Sequence, residues 1–283
     1  GPPQIGLTSV FQRFGSQVTL VESERRLLPG EDEEIRQRMG LALRDLGVNV
    51  LVGATVSSIQ RRGHELGVII TDRKGEHEVT VDNVLVTDRA PDIAGLGLEK
   101  VGVAVEDGHI VVDDQMRTSI PTIYALGDVA GGHFSYVATA GGIVAAENAL
   151  GGDSSLDINL VPRCIFGQPE AAAVGMTQQE AEGAGYEVKA TTLPFALNAR
   201  AMALGDPVGS LKIVSEARYG KILGVHIIGP WAVELIDQAV LAVRLEALVE
   251  DMADAVAGHP ALVETRQEAG RDLLGKALYV PKW

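Results

Sequence analysis

The spacing of apolar positions changes period repeatedly along this chain. Residues 5–15 suit a short helix after a glycine turn, residues 18–22 a buried strand, and residues 32–46 an amphipathic helix capped by Gly47. Strand-like segments follow at residues 48–52, 56–60, 68–71, 78–81 and 84–86, before the loop Arg89-Ala90-Pro91-Asp92. This alternation predicts an open α/β nucleotide domain. Residues 138–149 form an Ala-rich helix, and Gly151 to Ser155 reads as a linker. Beyond it strands and helices alternate again. In the helix at 232–245, Leu235, Ala239, Ala242 and Val243 recur at helical spacing, a stripe suited either to a dimer interface or to an intradomain core.

Composition narrows the classes. The 283 residues suffice for two or three domains, and no apolar stretch is long enough to span a bilayer. No basic, apolar and small-residue targeting pattern opens the sequence, so a soluble cytoplasmic protein without a membrane partner is expected. A net charge of −14 argues against a nucleic-acid groove, which needs clustered Lys and Arg. The one cysteine, Cys164, excludes an intrachain disulfide framework and a cysteine-rich metal site, so no metal is expected. Cys164 lies in an apolar, strand-like run and reads as a small buried hydrophobe.

Two segments carry candidate chemistry. In Gly258-His259-Pro260-Ala261-Leu262-Val263-Glu264, a histidine and a glutamate stand five residues apart at the start of an amphipathic run. A carboxylate that bonds one imidazole nitrogen fixes the tautomer and strengthens the other nitrogen as a general base. The plainer alternative is a helix-start histidine with a surface glutamate. The second segment, Ser119 through Asp128, reads as a turn and a buried apolar strand ending in Gly127-Asp128. An Asp at a strand's carboxyl end accepts from a ribityl or ribose hydroxyl, and glycine lets backbone approach the ligand. A turn aspartate is the alternative.

With these segments in order, the chain resembles the C-terminal two-thirds of a flavoprotein disulfide reductase, a member of the pyridine nucleotide-disulfide oxidoreductase family, most closely its dihydrolipoamide dehydrogenase branch. Phe11 to Glu22 is similar to a helix and strand of the family's nicotinamide domain, and Val161 to Glu170 and Lys221 to Pro230 resemble strands of its dimerisation domain. The resemblance implies an α/β fold with a Rossmann-like NAD-binding domain at 1–93 lacking its first strand, part of an FAD-binding domain at 94–152, and an α+β dimerisation domain at 153–283. It implies FAD and NAD as cofactors, a homodimer, and a dithiol or disulfide substrate such as lipoamide, with a 2-oxoacid dehydrogenase complex as the larger partner. His259 would be the base toward a substrate thiol, oriented by Glu264. Gly127 and Asp128 would serve the flavin, and Glu22 the NAD ribose in preference to NADP, since a carboxylate repels a 2′-phosphate.

The departures are specific. Gly1 and Gly6 match the outer glycines of the dinucleotide fingerprint, but Pro3 takes the middle position after Pro2, and proline has no N–H for a phosphate. The family's cysteine pair is absent from this sequence, and its flavin half with it. The expected function is therefore a dihydrolipoamide dehydrogenase-like oxidoreductase, incomplete as this sequence stands. The alternative is a non-catalytic dimerising or nucleotide-binding remnant.

Overall fold

A computed structural model describes residues 2–132 and 134–281. In chain order its elements are α1 (Pro2–Arg13), β1 (Thr19–Glu22), α2 (Glu33–Asp45), β2 (Asn49–Val52), β3 (Thr55–Arg62), β4 (Glu65–Asp72), β5 (Gly75–Val81), α3 (Leu98–Val101), β6 (Val105–Glu106) and β7 (His109–Ile110). There follow α4 (Ser135–Ala149), β8 (Arg163–Ile165), β9 (Ala171–Gly175), α5 (Gln178–Gly183), β10 (Val188–Pro194), α6 (Ala199–Leu204), β11 (Ser210–Glu216), β12 (Ile222–Ile228), α7 (Ala232–Arg244), α8 (Val249–Asp254) and α9 (Glu264–Leu273). They form two compact units, one of Gly1–Val86 with Pro162–Trp283 and one of Thr87–Val161. One unit thus holds the first nucleotide-domain segment together with the dimerisation segment.

The centre of the first unit is a five-stranded antiparallel sheet in the order β10-β11-β12-β9-β8. Because side chains alternate faces along a strand, neighbouring residues enter different cores. Ala172, Val174 and Ile227 join Ile236 and Ala239 of α7 and Ala269 of α9 in one cluster, while Ala171, Ala173 and Ile228 join Ile5 of α1 and Ile35, Met39 and Leu43 of α2 in another. Burial on both faces explains why β9 and β12 read as continuous apolar runs. The α7 stripe is resolved by the same packing. Ala239 is buried and Leu235, Ala242 and Val243 pack against the first cluster, so these residues serve the intradomain core, and Leu241 and Leu245 are the exposed apolar side chains.

Helix α2 begins where Asp32 accepts from the Glu34 N–H, with acidic residues in its first turn, and Gly47 follows at φ +89°. Strands β1 and β2 pair in parallel from Thr19 opposite Asn49 to Glu22 opposite Val52, and β3, β4 and β5 form an antiparallel meander over a small core of Ala54, Val68 and Ile70. The expected strand at 84–86 does not form. That run pairs with no strand among the described residues, and Leu85 and Val86 are exposed, since a β-like sequence needs a strand edge beside it to become a strand.

The second unit is built on Val103, Ile110 and Ala125, packed with Ile93, Leu98 and Ile123. Helix α4 is tied to its following loop by buried Asn148, whose Nδ2 donates to Gln115 O and Ser154 O and whose Oδ1 accepts from Ser154 N. The expected buried strand before Gly127 is replaced by a single bridge between Arg117 and Tyr124 and then a 3₁₀ turn, Gly127–Ala130. Ile120, Ile123 and Leu126 are only partly buried there, and no sheet among the described residues flanks them.

Candidate active site

The loop between α8 and α9 brings His259 and Glu264 together. The His259 Nδ1–H donates to Glu264 Oε1 over 2.9 Å, and Glu264 Oε2 accepts the Ala261 N–H at 2.7 Å. Being the first residue of α9, Glu264 can reach back to the loop it follows, as a carboxylate in a helix's first turn does. Burial works to raise its pKa, but the Ala261 N–H and the His259 imidazole outweigh burial and hold it below the ordinary value. The imidazole side chain is 69% exposed and the Glu264 side chain 21%. One partner is thus presented outward and the other is held. With Nδ1 committed to the carboxylate, Nε2 is the nitrogen left for chemistry.

Asn198, which the sequence reading missed, organises this loop from the start of α6. Its Nδ2 donates to Ala261 O, Leu262 O and Thr265 Oγ1 at 3.0, 3.3 and 3.0 Å, while Oδ1 accepts from Arg200 N and Ala201 N and so caps α6. An Asn beginning a helix looks like any cap in sequence. Only the fold shows that its amide also fixes a loop more than sixty positions away. His259, Glu264, Asn198, Thr265 and the apolar Leu193 and Leu197 line a cavity of about 100 Å³.

The nucleotide-associated residues lie elsewhere. Gly1 falls outside the described residues. Helix α1 runs from Pro2, earlier than the expected start at residue 5, and Gly6 lies within the helix. A Cβ on Gly6 would stand 2.5 Å from the Phe166 carbonyl oxygen, so this glycine permits close approach of α1 to the chain after β8. That matches the packing task of a fingerprint's last glycine rather than contact with a phosphate. Prolines in a first helical turn are well tolerated, but they remove the N–H groups an anion would use there. Glu22 ends β1, and its Oε1 accepts from Glu24 N at 3.1 Å and Ser23 Oγ at 3.4 Å. In the other unit Gly127 takes φ +72°, and Asp128, in the 3₁₀ turn, is bonded by Arg89 Nη2. Arg89 was not singled out from the sequence. Cys164 is buried on β8. Among the described residues no group of His, Cys, Asp and Glu could hold a metal ion, and no helix is long and apolar enough to cross a membrane.

Comparison with known proteins covers segments of both units. Residues 5–152 match the family "Pyridine nucleotide-disulphide oxidoreductase", and residues 161–270 match "Pyridine nucleotide-disulphide oxidoreductase, dimerisation domain". The chain belongs to the pyridine nucleotide-disulphide oxidoreductase family. It is 37% identical over 271 residues to a dihydrolipoyl dehydrogenase of Mycobacterium leprae, covering 94% of this chain and 58% of the relative. To a dihydrolipoyl dehydrogenase of Thermus scotoductus it is 38% identical over 285 residues, 99% of this chain and 62% of the relative. Its fold is similar to that of LpdA from Mycobacterium tuberculosis, with a TM-score of 0.86 and 30% identity over 95% of this chain and 59% of that one. The HOCl-induced flavoprotein disulfide reductase RclA from Escherichia coli gives 0.83 and 28% over 95% and 62%. The chain thus spans about three-fifths of the relatives' length. Family members use FAD and a pyridine nucleotide, and this chain carries the family's dimerisation domain.

Proposed function

We propose that the chain is the nicotinamide domain, part of the flavin domain and the dimerisation domain of a dihydrolipoamide dehydrogenase-like oxidoreductase, in which His259 is the base toward a dithiol substrate. The observation that carries this reading is the 2.9 Å bond from His259 Nδ1 to a Glu264 carboxylate that is itself fixed by the Ala261 N–H, beside a cavity with apolar walls. His259 Nε2 takes the proton of a thiol such as that of dihydrolipoamide. Glu264 keeps Nδ1 protonated and balances the charge of the imidazolium that results.

The cofactor residues fit unevenly. A Glu22 carboxylate at the end of a parallel strand suits an adenosine ribose, and it favours NAD over NADP. The start of α1 does not suit a pyrophosphate, because Pro2 and Pro3 offer no N–H. Asp128 suits a ribityl hydroxyl, with Arg89 holding its carboxylate in place and Gly127 supplying the backbone turn. Flavin and nicotinamide would supply the hydride chemistry there. The residues of this chain bind, orient and move the proton. Homodimer formation rests on the dimerisation domain and on exposed Leu241 and Leu245, and a 2-oxoacid dehydrogenase complex in the cytoplasm is the larger partner that the family resemblance implies.

With a flavin half and its cysteine pair supplied on a longer form of the chain or by a partner, NADH-driven lipoamide reduction should fall about 10²–10⁴-fold in His259→Ala with flavin content unchanged. Glu264→Gln should lose less. Full activity in His259→Ala would overturn the assignment. A second reading, a remnant that dimerises without redox chemistry, is favoured by one observation, the single and buried Cys164. It predicts no lipoamide turnover under the same conditions.

A further inference from the structure

Helix α9 carries another carboxylate one turn beyond Glu264. Glu268 is 6% exposed, and its Oε1 accepts two successive backbone N–H groups, those of Leu278 and Tyr279, each at 2.5 Å. Among the described residues its Oε2 has no hydrogen-bond partner, and Arg271 Nη1 stands 3.8 Å from it. A buried carboxylate that gathers two consecutive N–H groups fixes the position of the segment carrying them. Residues four apart share a helix face. One face of α9 therefore holds two separate chain segments: Glu264 holds the loop of His259 and Ala261 before the helix, and Glu268 holds Leu278 and Tyr279 after it.

Both held segments line the same cavity, through His259 and Tyr279, and the remaining apolar lining comes from Leu193, Pro194, Leu197 and Ala199. An aromatic ring offers a broad apolar face, which suits a substrate whose reactive end is carried on a hydrocarbon tether. We propose that Tyr279 is a specificity-determining residue, a substrate-contacting wall positioned by Glu268, that selects a dithiol borne on a hydrocarbon arm over a small hydrophilic dithiol. This inference rests on the reading of the His259 cavity as the dithiol site.

The test is an amide NMR titration of the full chain with dihydrolipoamide and, separately, with dithiothreitol. In the wild type, dihydrolipoamide should shift the amides of Leu197, Asn198 and Thr265 saturably. Tyr279→Ala should weaken dihydrolipoamide binding by about tenfold, the loss expected from removing roughly two methylene equivalents of ligand contact, and Glu268→Gln, which loosens the segment that carries Tyr279, should weaken it in the same direction. Dithiothreitol binding should be unchanged, and Tyr279→Phe should keep the preference. Glu268→Gln should also speed hydrogen exchange at Leu278 and Tyr279 while β10 stays protected, a result that a general loss of structure would not give. Wild-type affinity for dihydrolipoamide in Tyr279→Ala overturns the inference and leaves the role of His259 standing. Unaltered exchange in Glu268→Gln overturns the clamp. Failure of the wild type to bind either probe overturns both the inference and the reading on which it rests.

Discussion

At the scale of single residues, the decisive quantity is how near a neighbouring backbone comes. Gly6 in α1 faces the Phe166 carbonyl oxygen, which a Cβ would meet at 2.5 Å. Alanine would gain up to about 1 kcal/mol in helix propensity, but the contact forces α1 away from the β8 end or distorts it, costing about 1–3 kcal/mol. The clash wins. Gly6→Ala should therefore lower the unfolding midpoint in urea despite its better helix propensity, and a raised midpoint would show that α1 does not pack this closely. Glu22 poses a different residue-scale question, since its carboxylate is already bonded by the backbone N–H of Glu24. It is thereby held at the strand end. Calorimetric titration should give tighter binding of NADH than of NADPH, with both weak because the α1 start lacks phosphate donors. Equal affinities would remove the role assigned to Glu22.

At the scale of elements, one side chain joins α6 to the α8–α9 loop. Asn198 is 6% exposed and uses both ends of its amide, Oδ1 toward the α6 backbone and Nδ2 toward Ala261, Leu262 and Thr265. Asn198→Ala removes a helix cap and leaves buried carbonyls unpaired, so it should cost about 2–4 kcal/mol in denaturant unfolding. Asn198→Asp separates the two effects. It keeps the cap acceptor but turns a second oxygen toward two carbonyls, so most of the loss should remain. It should also loosen the His259 loop, read as faster exchange of the Ala261 amide. If Asp restores wild-type stability, the amide's contacts to the loop carry little.

At the scale of the whole first unit, a row of registered residues crosses the sheet. Arg163 pairs with Ala173, Ala173 with His226, and His226 with Lys212, so all four face the same side. The Glu31-Asp32 corner before α2 docks on that row. Asp32 bonds Lys212 Nζ at 3.0 Å through each oxygen, and Glu31 bonds Arg163 Nε at 3.1 Å. Buried His226 donates from Nε2 to Met176 O at 3.0 Å, and its Nδ1 has no hydrogen-bond partner among the described residues. Burial first, helped by Arg163 and Lys212 and opposed by Asp32, depresses its pKa to about 4. Above pH 6.5 the imidazole is neutral whether folded or not. Between about 6.5 and 4 the unfolded chain binds a proton that the folded chain refuses, so stability should fall by roughly 3 kcal/mol across that window. For Asp32, burial raises the pKa but His226, the Glu34 N–H and Lys212 outweigh it, so its contribution is present above pH 3.8 and is lost on further acidification. Glu31 works the other way. Burial raises its pKa against the pull of Arg163, so its contribution favours the fold at low pH and fades as pH rises above 4.5. Urea unfolding at a series of pH values checks the sum, and His226→Gln should flatten the slope between pH 6.5 and 4. An unchanged slope would place its origin elsewhere.

Much of this was legible in the sequence, because local patterns respond to local causes. The capped amphipathic helix α2, the strands of the parallel pair and the meander, and the buried setting of Cys164 all follow from periodicity, glycine position and side-chain polarity. His259 and Glu264 were legible too, being five positions apart, a spacing that a loop entering a helix turns into a hydrogen bond. Other features were not. The runs at 84–86 and 120–126 have strand-like residues and no strand, because pairing needs a neighbouring edge that the residues themselves do not supply. The α7 stripe was ambiguous between a partner and the chain's own sheet until β9 and β12 were seen beneath it. Asn198, Arg89 and the Glu31-Asp32 dock meet their partners across separations of up to 180 positions, where no periodicity carries a signal. Local chemistry determined which elements this chain forms, and tertiary packing alone decided which of them meet, because burial and hydrogen bonding reward contacts by distance in space and not along the sequence.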